Sequence, residues 1–225
     1  MLGLEFDFGL FIGVASQKQH GKDTLSDYLA ECLNEGDGAL KWERDAFALN
    51  VKRIYCDTFD VDMETMEEWK VKDEPPEGFD MNVRKSLQFI GDGFRQIKSS
   101  IWIDLMFRNT TKNKIISDVR YPNEFSTIKK RGGLNILMGR TEKLNDDENS
   151  SESLIRPYVE WGLKNFSDNF TDLSKMTGEE WCDSPAGSGD FDVFIRNDGS
   201  KEDLYETIRT KLVPYVQEWS VKCLT

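Results

Sequence analysis

The sequence predicts an α/β fold in three layers, a mostly parallel central sheet with helices on both faces. Three observations carry that prediction. Short apolar runs alternate with longer amphipathic segments along most of the 225 residues. The first apolar run, Leu10–Ala15, breaks into a short polar loop, and Gly21-Lys22 then opens a helical pattern through Leu25, Tyr28, Leu29 and Cys32. Another run, Lys114–Asp118, ends on a carboxylate at the edge where open α/β sheets bind ligands.

Strands are predicted at Leu10–Ala15, Leu40–Phe47, Lys114–Asp118, Leu134–Met138 and Val193–Arg196. The first, third and fifth are short apolar runs suited to burial on two sides, and the second is weaker. Helices are predicted at Lys22–Leu33, Val51–Thr58, Asn82–Lys98, Ile101–Arg108, Asn123–Arg131 and Lys201–Gln217, with Pro214 expected to kink or end the last one early. The chain, 1–225, reads as one domain with two interruptions. Residues 60–80 are acidic and contain Pro75-Pro76, which suggests a flexible excursion on the substrate side. Residues 141–190 are polar and read as a lid or surface insertion, with a possible helix near Leu154–Leu163.

Composition narrows the function classes. Hydrophobic residues make up 38% and aromatics 12%, as in a globular chain, and no stretch approaches the roughly 18 apolar residues of a membrane helix. No membrane partner is therefore expected. The N-terminus lacks a secretory pattern, and Cys32, Cys56, Cys182 and Cys223 are widely spaced without metal-ligand pairs, so reduced thiols in a cytoplasmic setting are expected. A net charge of −12 disfavours broad binding to polymeric nucleic acid. A small anionic substrate remains compatible if cations converge in one cleft.

Residues 16–24 provide such a point of convergence. Strand, short loop and helix N-terminus, with a lysine at the junction, form a cradle for nucleotide phosphates: Ser16, Gln17, Lys18, Gln19, His20, Gly21, Lys22, Asp23 and Thr24. The match to G-x-x-x-x-G-K-[ST] is partial. Ser16 stands at the first glycine, and Asp23 stands at the magnesium-binding hydroxyl with Thr24 behind it. An ordinary Gly-Lys helix start is the plainer reading. His20, the lone histidine, lies in the loop, where phosphate contact or solvent exposure is expected.

Asp118 and Arg120 follow the third strand. A carboxylate there can organise hydrated magnesium or contact a substrate hydroxyl, and a guanidinium two residues on can grip phosphate with two bonds. A strand-end aspartate capping the helix near Asn123 is the alternative. Arg84, Gln88 and Arg95 fall at i, i+4 and i+11, on one face if the helix continues through Gly91 and Gly93; a solvated face is the alternative. Phe47 and Lys52 follow the second strand, where a ring can stack on a base and an amine can bind phosphate, or where core packing and solvent can claim them. Asn197-Asp198-Gly199 is either a plain turn or a loop bordering a base.

Taken together, these segments resemble the deoxynucleoside monophosphate kinases of tailed bacteriophages, within the P-loop kinase group. The matching pieces are Gly21-Lys-Asp-Thr24, Phe47-Ala-Leu-Asn-Val-Lys52, Leu87-Gln-Phe-Ile-Gly91 with Arg95 and Trp102, Ser117-Asp-Val-Arg-Tyr-Pro-Asn-Glu124, Ser151-Glu152 and Asn197-Asp-Gly-Ser200. The resemblance implies a three-layer P-loop kinase fold, a homodimer, and ATP- and Mg2+-dependent conversion of a deoxynucleoside monophosphate to its diphosphate. It further implies that Lys22, Arg95, Asp118 and Arg120 carry catalysis, with Asp23, Thr24 and Asp118 at the metal. ATP would be held by residues 16–24, Arg140, Asn197, Asp198 and Gly199. Phe47, Lys52, Arg84, Gln88, Arg95, Trp102, Asp118 and Arg120 would hold the monophosphate. If the source is a phage, the setting is the cytoplasm of an infected bacterium. Other readings stay open: a kinase of the same fold acting on a modified pyrimidine monophosphate or on a hydroxymethylated base in DNA, and a nucleotide-binding module without turnover.

Overall fold

The computed structural model describes residues 9–35, 40–108, 110–144, 150–181 and 183–224. The chain divides into two compact units, 1–45 with 110–225, and 46–109.

The larger unit is built on β1 (Phe11–Ala15), α1 (Lys22–Asn34), β2 (Trp42–Asp45), β3 (Asn113–Val119) and further elements described below. Every residue of β1 is buried, because its two faces serve two helical layers. Ile12 and Val14 join Leu25 and Leu29 of α1 in one apolar cluster. Gly13 faces the other way; a Cβ there would meet the Asn135 side-chain oxygen at 2.4 Å and an Ile128 methyl at 2.7 Å.

In the smaller unit, α2 (Phe47–Phe59), α3 (Met63–Lys72), α4 (Val83–Ile97) and α5 (Ile101–Met106) follow one another. Phe47 therefore begins a helix and does not end the second strand as expected, since β2 stops at Asp45. Half of the predicted excursion at 60–80 is also helical. The Asp62 side chain caps α3 by accepting the Thr65 N–H at 2.8 Å, and Met66 is fully buried with Tyr55, Cys56 and Val83.

Returning to the larger unit, α6 (Pro122–Lys130) and β4 (Leu134–Gly139) lead to α7 (Ser150–Asn165), β5 (Phe170–Asp172) and β6 (Val193–Arg196). The chain finishes with α8 (Lys201–Thr207), a π-helical turn at Ile208–Leu212 and α9 (Val213–Leu224). The six-stranded sheet runs β2-β3-β1-β4-β6-β5, parallel except for β5, which pairs antiparallel with β6. This is the predicted α/β architecture, consistent with a P-loop kinase-like fold.

Because β3 and β4 flank β1, the strand order reverses there, and the loop after β1 opens at that switch point. Between Gly13 and Ala15 of β1 the register on β3 advances from Ile116 to Val119, so Ser117 and Asp118 bulge opposite Val14.

Two expectations change here. The last helix passes Pro214: Val213 N–H bonds the Ile208 carbonyl five residues back, and this wider turn carries the chain past a residue that donates no bond. Within 141–190, residues 150–165 are a full helix that packs on β4 through buried Ile155, Tyr158, Val159 and Trp161. Among the described residues, no helix is long and apolar enough to cross a membrane. Cys32, Cys56 and Cys223 are free thiols, and Cys182 lies outside the described residues.

Helix α7 docks through Gly162, where a Cβ would stand 2.4 Å from the Phe194 ring. Gly162→Ala is expected to cost about 1–3 kcal/mol through overpacking. Gly178→Ala, with nothing within 4 Å, should stay within about 0.5 kcal/mol of wild type. Thermal denaturation of the two variants checks the contrast.

Candidate functional site

The loop between β1 and α1 is held from below and left open at the helix end. Ser16, Gln17 and His20 are buried. Ser16 Oγ donates to the Gln17 carbonyl at 2.9 Å, and its φ is not positive, so serine is tolerated where the motif has glycine. Gln19 and Gly21 adopt positive φ, 65° and 97°, a curl that turns backbone N–H groups inward. Gly21 has a second reason to be glycine, since a Cβ there would lie 2.6 Å from the Asn197 amide nitrogen. That nitrogen donates to the His20 carbonyl at 2.9 Å.

Gly21 is the N-cap of α1 and provides no side-chain cap. The first-turn N–H groups of Lys22, Asp23 and Thr24 consequently have no partner among the described residues, and they sit at the positive end of a 13-residue helix. The Lys22 side chain is only 11% exposed, and its ammonium lies 3.2 Å from Asp23 Oδ2.

Arg44 of β2 was not anticipated from the sequence. Its guanidinium bonds Asp23, grips both Asp27 oxygens at 2.7 and 2.9 Å, and donates through Nε to Ser117 Oγ at 3.1 Å. Asp23, at the motif's hydroxyl position, is thus bracketed by Lys22 and Arg44. Beside Ser117, half-buried Asp118 lies in the β3 bulge. The alternative reading of Asp118 as a helix cap does not hold. The α6 N-cap is Tyr121, with Glu124 reaching back to the Tyr121 N–H at 3.0 Å and the Arg120 N–H at 2.8 Å.

Arg120 reaches the same loop through Glu152 of α7. Its Nη1 donates to Glu152 Oε1, while Oε2 accepts the Lys18 N–H at 2.9 Å. Glu152 was legible only as part of a motif, and no role followed from its position in sequence.

His20 departs from its expected role. Arg140 N–H donates to Nδ1 at 3.2 Å, which places the ring proton on Nε2, shared with the Lys143 carbonyl at 3.0 Å. The imidazole is a buried strut between these two groups and does not face solvent. The Arg140 side chain behaves differently: its Nε is buried and has no hydrogen-bond partner among the described residues. Asp198 ties Thr141, accepting from its N–H at 2.6 Å and its hydroxyl at 2.8 Å, and pairs with Arg196 Nε at 2.6 Å. Burial pushes the Asp198 carboxyl up, but Thr141 and Arg196 outweigh it and hold it below the usual carboxylate range. Gly199 is packed against Asp203, which caps α8 with Ser200. The 197–199 segment therefore braces the loop.

No protein-family model matches the chain. A protein of Acanthamoeba polyphaga mimivirus, named "Putative deoxynucleotide monophosphate kinase", is 30% identical over 169 residues, which span 65% of this chain and 82% of that protein. The chain belongs to this nucleotide kinase family.

In the smaller unit of this kinase, α4 continues through both glycines, so Arg84, Gln88 and Arg95 do share a helix. Arg84 lies 3.9 Å from Asp73, Arg95 is 3.3 Å from Asp92, and Gln88 is exposed. Lys52 pairs with Glu67 at 2.5 Å. Phe47 and Trp102 are buried, and the Trp102 indole N–H donates to the Gly91 carbonyl at 3.1 Å. Both aromatics are packed in that unit, as the core-packing alternative for Phe47 has it.

Burial lowers the His20 pKa, outweighing the carbonyls of Lys143 and Met138 that raise it. Above about pH 6.5 the ring is neutral both folded and unfolded; below it the unfolded chain takes up a proton that the folded strut resists. Stability is therefore expected to fall as the pH drops below about 6.5. Because the chain has a single histidine, His20→Gln should flatten that limb, as read from melting temperatures across the range.

Proposed function

We propose that this chain transfers the γ-phosphoryl group of ATP to a deoxynucleoside 5′-monophosphate, giving the diphosphate and ADP, as the tailed-phage kinases it resembles do. The observation that carries this reading is the bare N-terminus of α1. Backbone N–H groups and a buried arginine Nε without a partner among the described residues, with an enclosed lysine, form a donor set that fits a polyphosphate. The mimivirus relative's name supports a deoxynucleotide as acceptor.

Catalysis in this reading is alignment and charge neutralisation, since the acceptor phosphate needs little deprotonation. The open backbone N–H groups at 21–24 hold the β- and γ-phosphates, with Lys22 following the transferred group. Arg140 binds the donor's phosphates. Arg120 neutralises charge on the phosphate in flight. Within the smaller unit, the α4 face with Arg84, Gln88 and Arg95 is assigned to acceptor recognition, together with Lys52.

Among the described residues, no three His, Cys, Asp or Glu side chains cluster as a metal cage. Magnesium in phosphoryl-transfer sites relies on one or two carboxylates plus phosphates and water, and Asp118, Asp23 and Thr24 supply donors of that kind. When bound, Mg2+ supplies charge neutralisation between the phosphates. The homodimer belongs to the same reading and is measured by sedimentation equilibrium.

A coupled ADP-release screen against the common and hydroxymethylated deoxynucleoside monophosphates, their ribonucleotide counterparts and DNA tests the assignment. Turnover with a free deoxynucleotide is expected, and turnover with DNA alone, or with none, contradicts it. Lys22→Ala should lower kcat by about 10³-fold or more. Its melting temperature should hardly move, because the Asp23 partner is 58% exposed and such pairs add little stability. Activity within about tenfold of wild type would remove Lys22 from its role.

A further inference from the structure

The Glu152 side chain is 2% exposed, and phosphoryl transfer as described above gives it no task. Its two oxygens are divided between two parts of the site, Oε2 on the Lys18 N–H of the phosphate loop and Oε1 on the Arg120 guanidinium. Its support is closely packed. Helix α7 is anchored by buried Ile155, Tyr158, Val159 and Trp161, with Gly162 against the Phe194 ring. The backbone N–H of Arg120 is fixed separately by Glu124, itself buried, at 2.8 Å. Arg120 is thus held at both ends of its side chain while remaining 22% exposed.

We propose that Glu152 is a positioning residue for phosphoryl transfer, holding the Arg120 guanidinium in register with the phosphate loop from one shared carboxylate. An arginine side chain has many rotamers, and one placed before the nucleotide arrives need not be ordered during the reaction. A buried carboxylate is retained only where both oxygens are satisfied, and here the two partners are the elements whose spacing the chemistry depends on. A glutamine cannot reproduce this, because its amide accepts on one side only and presents a donor to the other. The catalytic half of the inference rests on the phosphoryl-transfer reading; the positioning half rests on geometry alone.

The test combines two measurements on wild type, Glu152→Gln, Arg120→Ala and the double variant, each well below its own melting temperature. In the first, the Arg120 guanidinium is followed by nitrogen-detected NMR, its signal assigned by its loss in Arg120→Ala. Restricted rotation in wild type and free rotation in Glu152→Gln are expected, and equal restriction in both overturns the positioning. In the second, kcat and KM are measured with ATP and the preferred deoxynucleotide. Glu152→Gln should lower kcat by about 10²-fold, and should add almost nothing once Arg120 is already alanine.

Losses that multiply independently, or a Glu152→Gln kcat within threefold of wild type, overturn the coupling. Glu152→Asp, which keeps the charge but shortens the reach, stands in if Glu152→Gln does not fold, with the same outcomes applied. If wild type transfers no phosphate at all, the kinase reading fails and the NMR measurement alone decides whether Glu152 holds Arg120.

Discussion

The Asn197 side chain lies so close over Gly21 that a Cβ would sit 2.6 Å from its nitrogen, and the same nitrogen bonds the His20 carbonyl at 2.9 Å. This contact fixes the backbone where strand gives way to helix. With Gly21 at a φ of 97°, α1 starts on a residue with no side chain to cap it, and its first N–H groups stay open to an anion. Ser, Asp or Asn at that position would add a competing oxygen and close the site chemically. The remaining braces, His20 on Arg140 and Lys143, Asp198 on Thr141, and Glu152 on Lys18, hold the surrounding segments to this one geometry.

Electrostatically the site is an exception within its own chain. A molecule of net charge −12 gathers Lys22, Arg44, Arg120 and Arg140 around the ends of β1, β2, β3 and β4. Most of these cations already have protein partners: Asp23 lies between Lys22 and Arg44, and Glu152 pairs with Arg120. Such pairing keeps the cations oriented without the self-repulsion that a bare cluster would carry. It also accounts for Asp23 at the motif's hydroxyl position, where the carboxylate is part of the charge network that includes β2.

The strand-loop-helix at 10–33 and the Asp-x-Arg end of β3 were legible because apolar runs and their breaks are local signals. What was not legible depended on tertiary contacts. Phe47 looked like a strand end, yet the chain turns at Ala46 and buries the ring in a helix start. The α3 helix had its signals in sequence, with Asp62 as cap and Met63, Met66 and Trp69 at helical spacing, but the acidic residues and Pro75-Pro76 suggested a loop. The edge strand β5 is three residues long, too short to show a period of two. Arg44, and the role of Glu152, escape the sequence because their partners lie 17 or more residues away, and no spacing rule links such pairs. The β3 bulge that carries Asp118 is likewise visible only against β1.

In the proposed function, the open N–H groups at residues 21–24 receive the phosphates of a nucleotide. Amide NMR of the wild-type chain titrated with ATP and Mg2+ measures this directly. Large downfield shifts of the Gly21, Lys22, Asp23 and Thr24 amide protons are expected, saturating together with smaller changes elsewhere. ATP binding that leaves those four amides unmoved would contradict it.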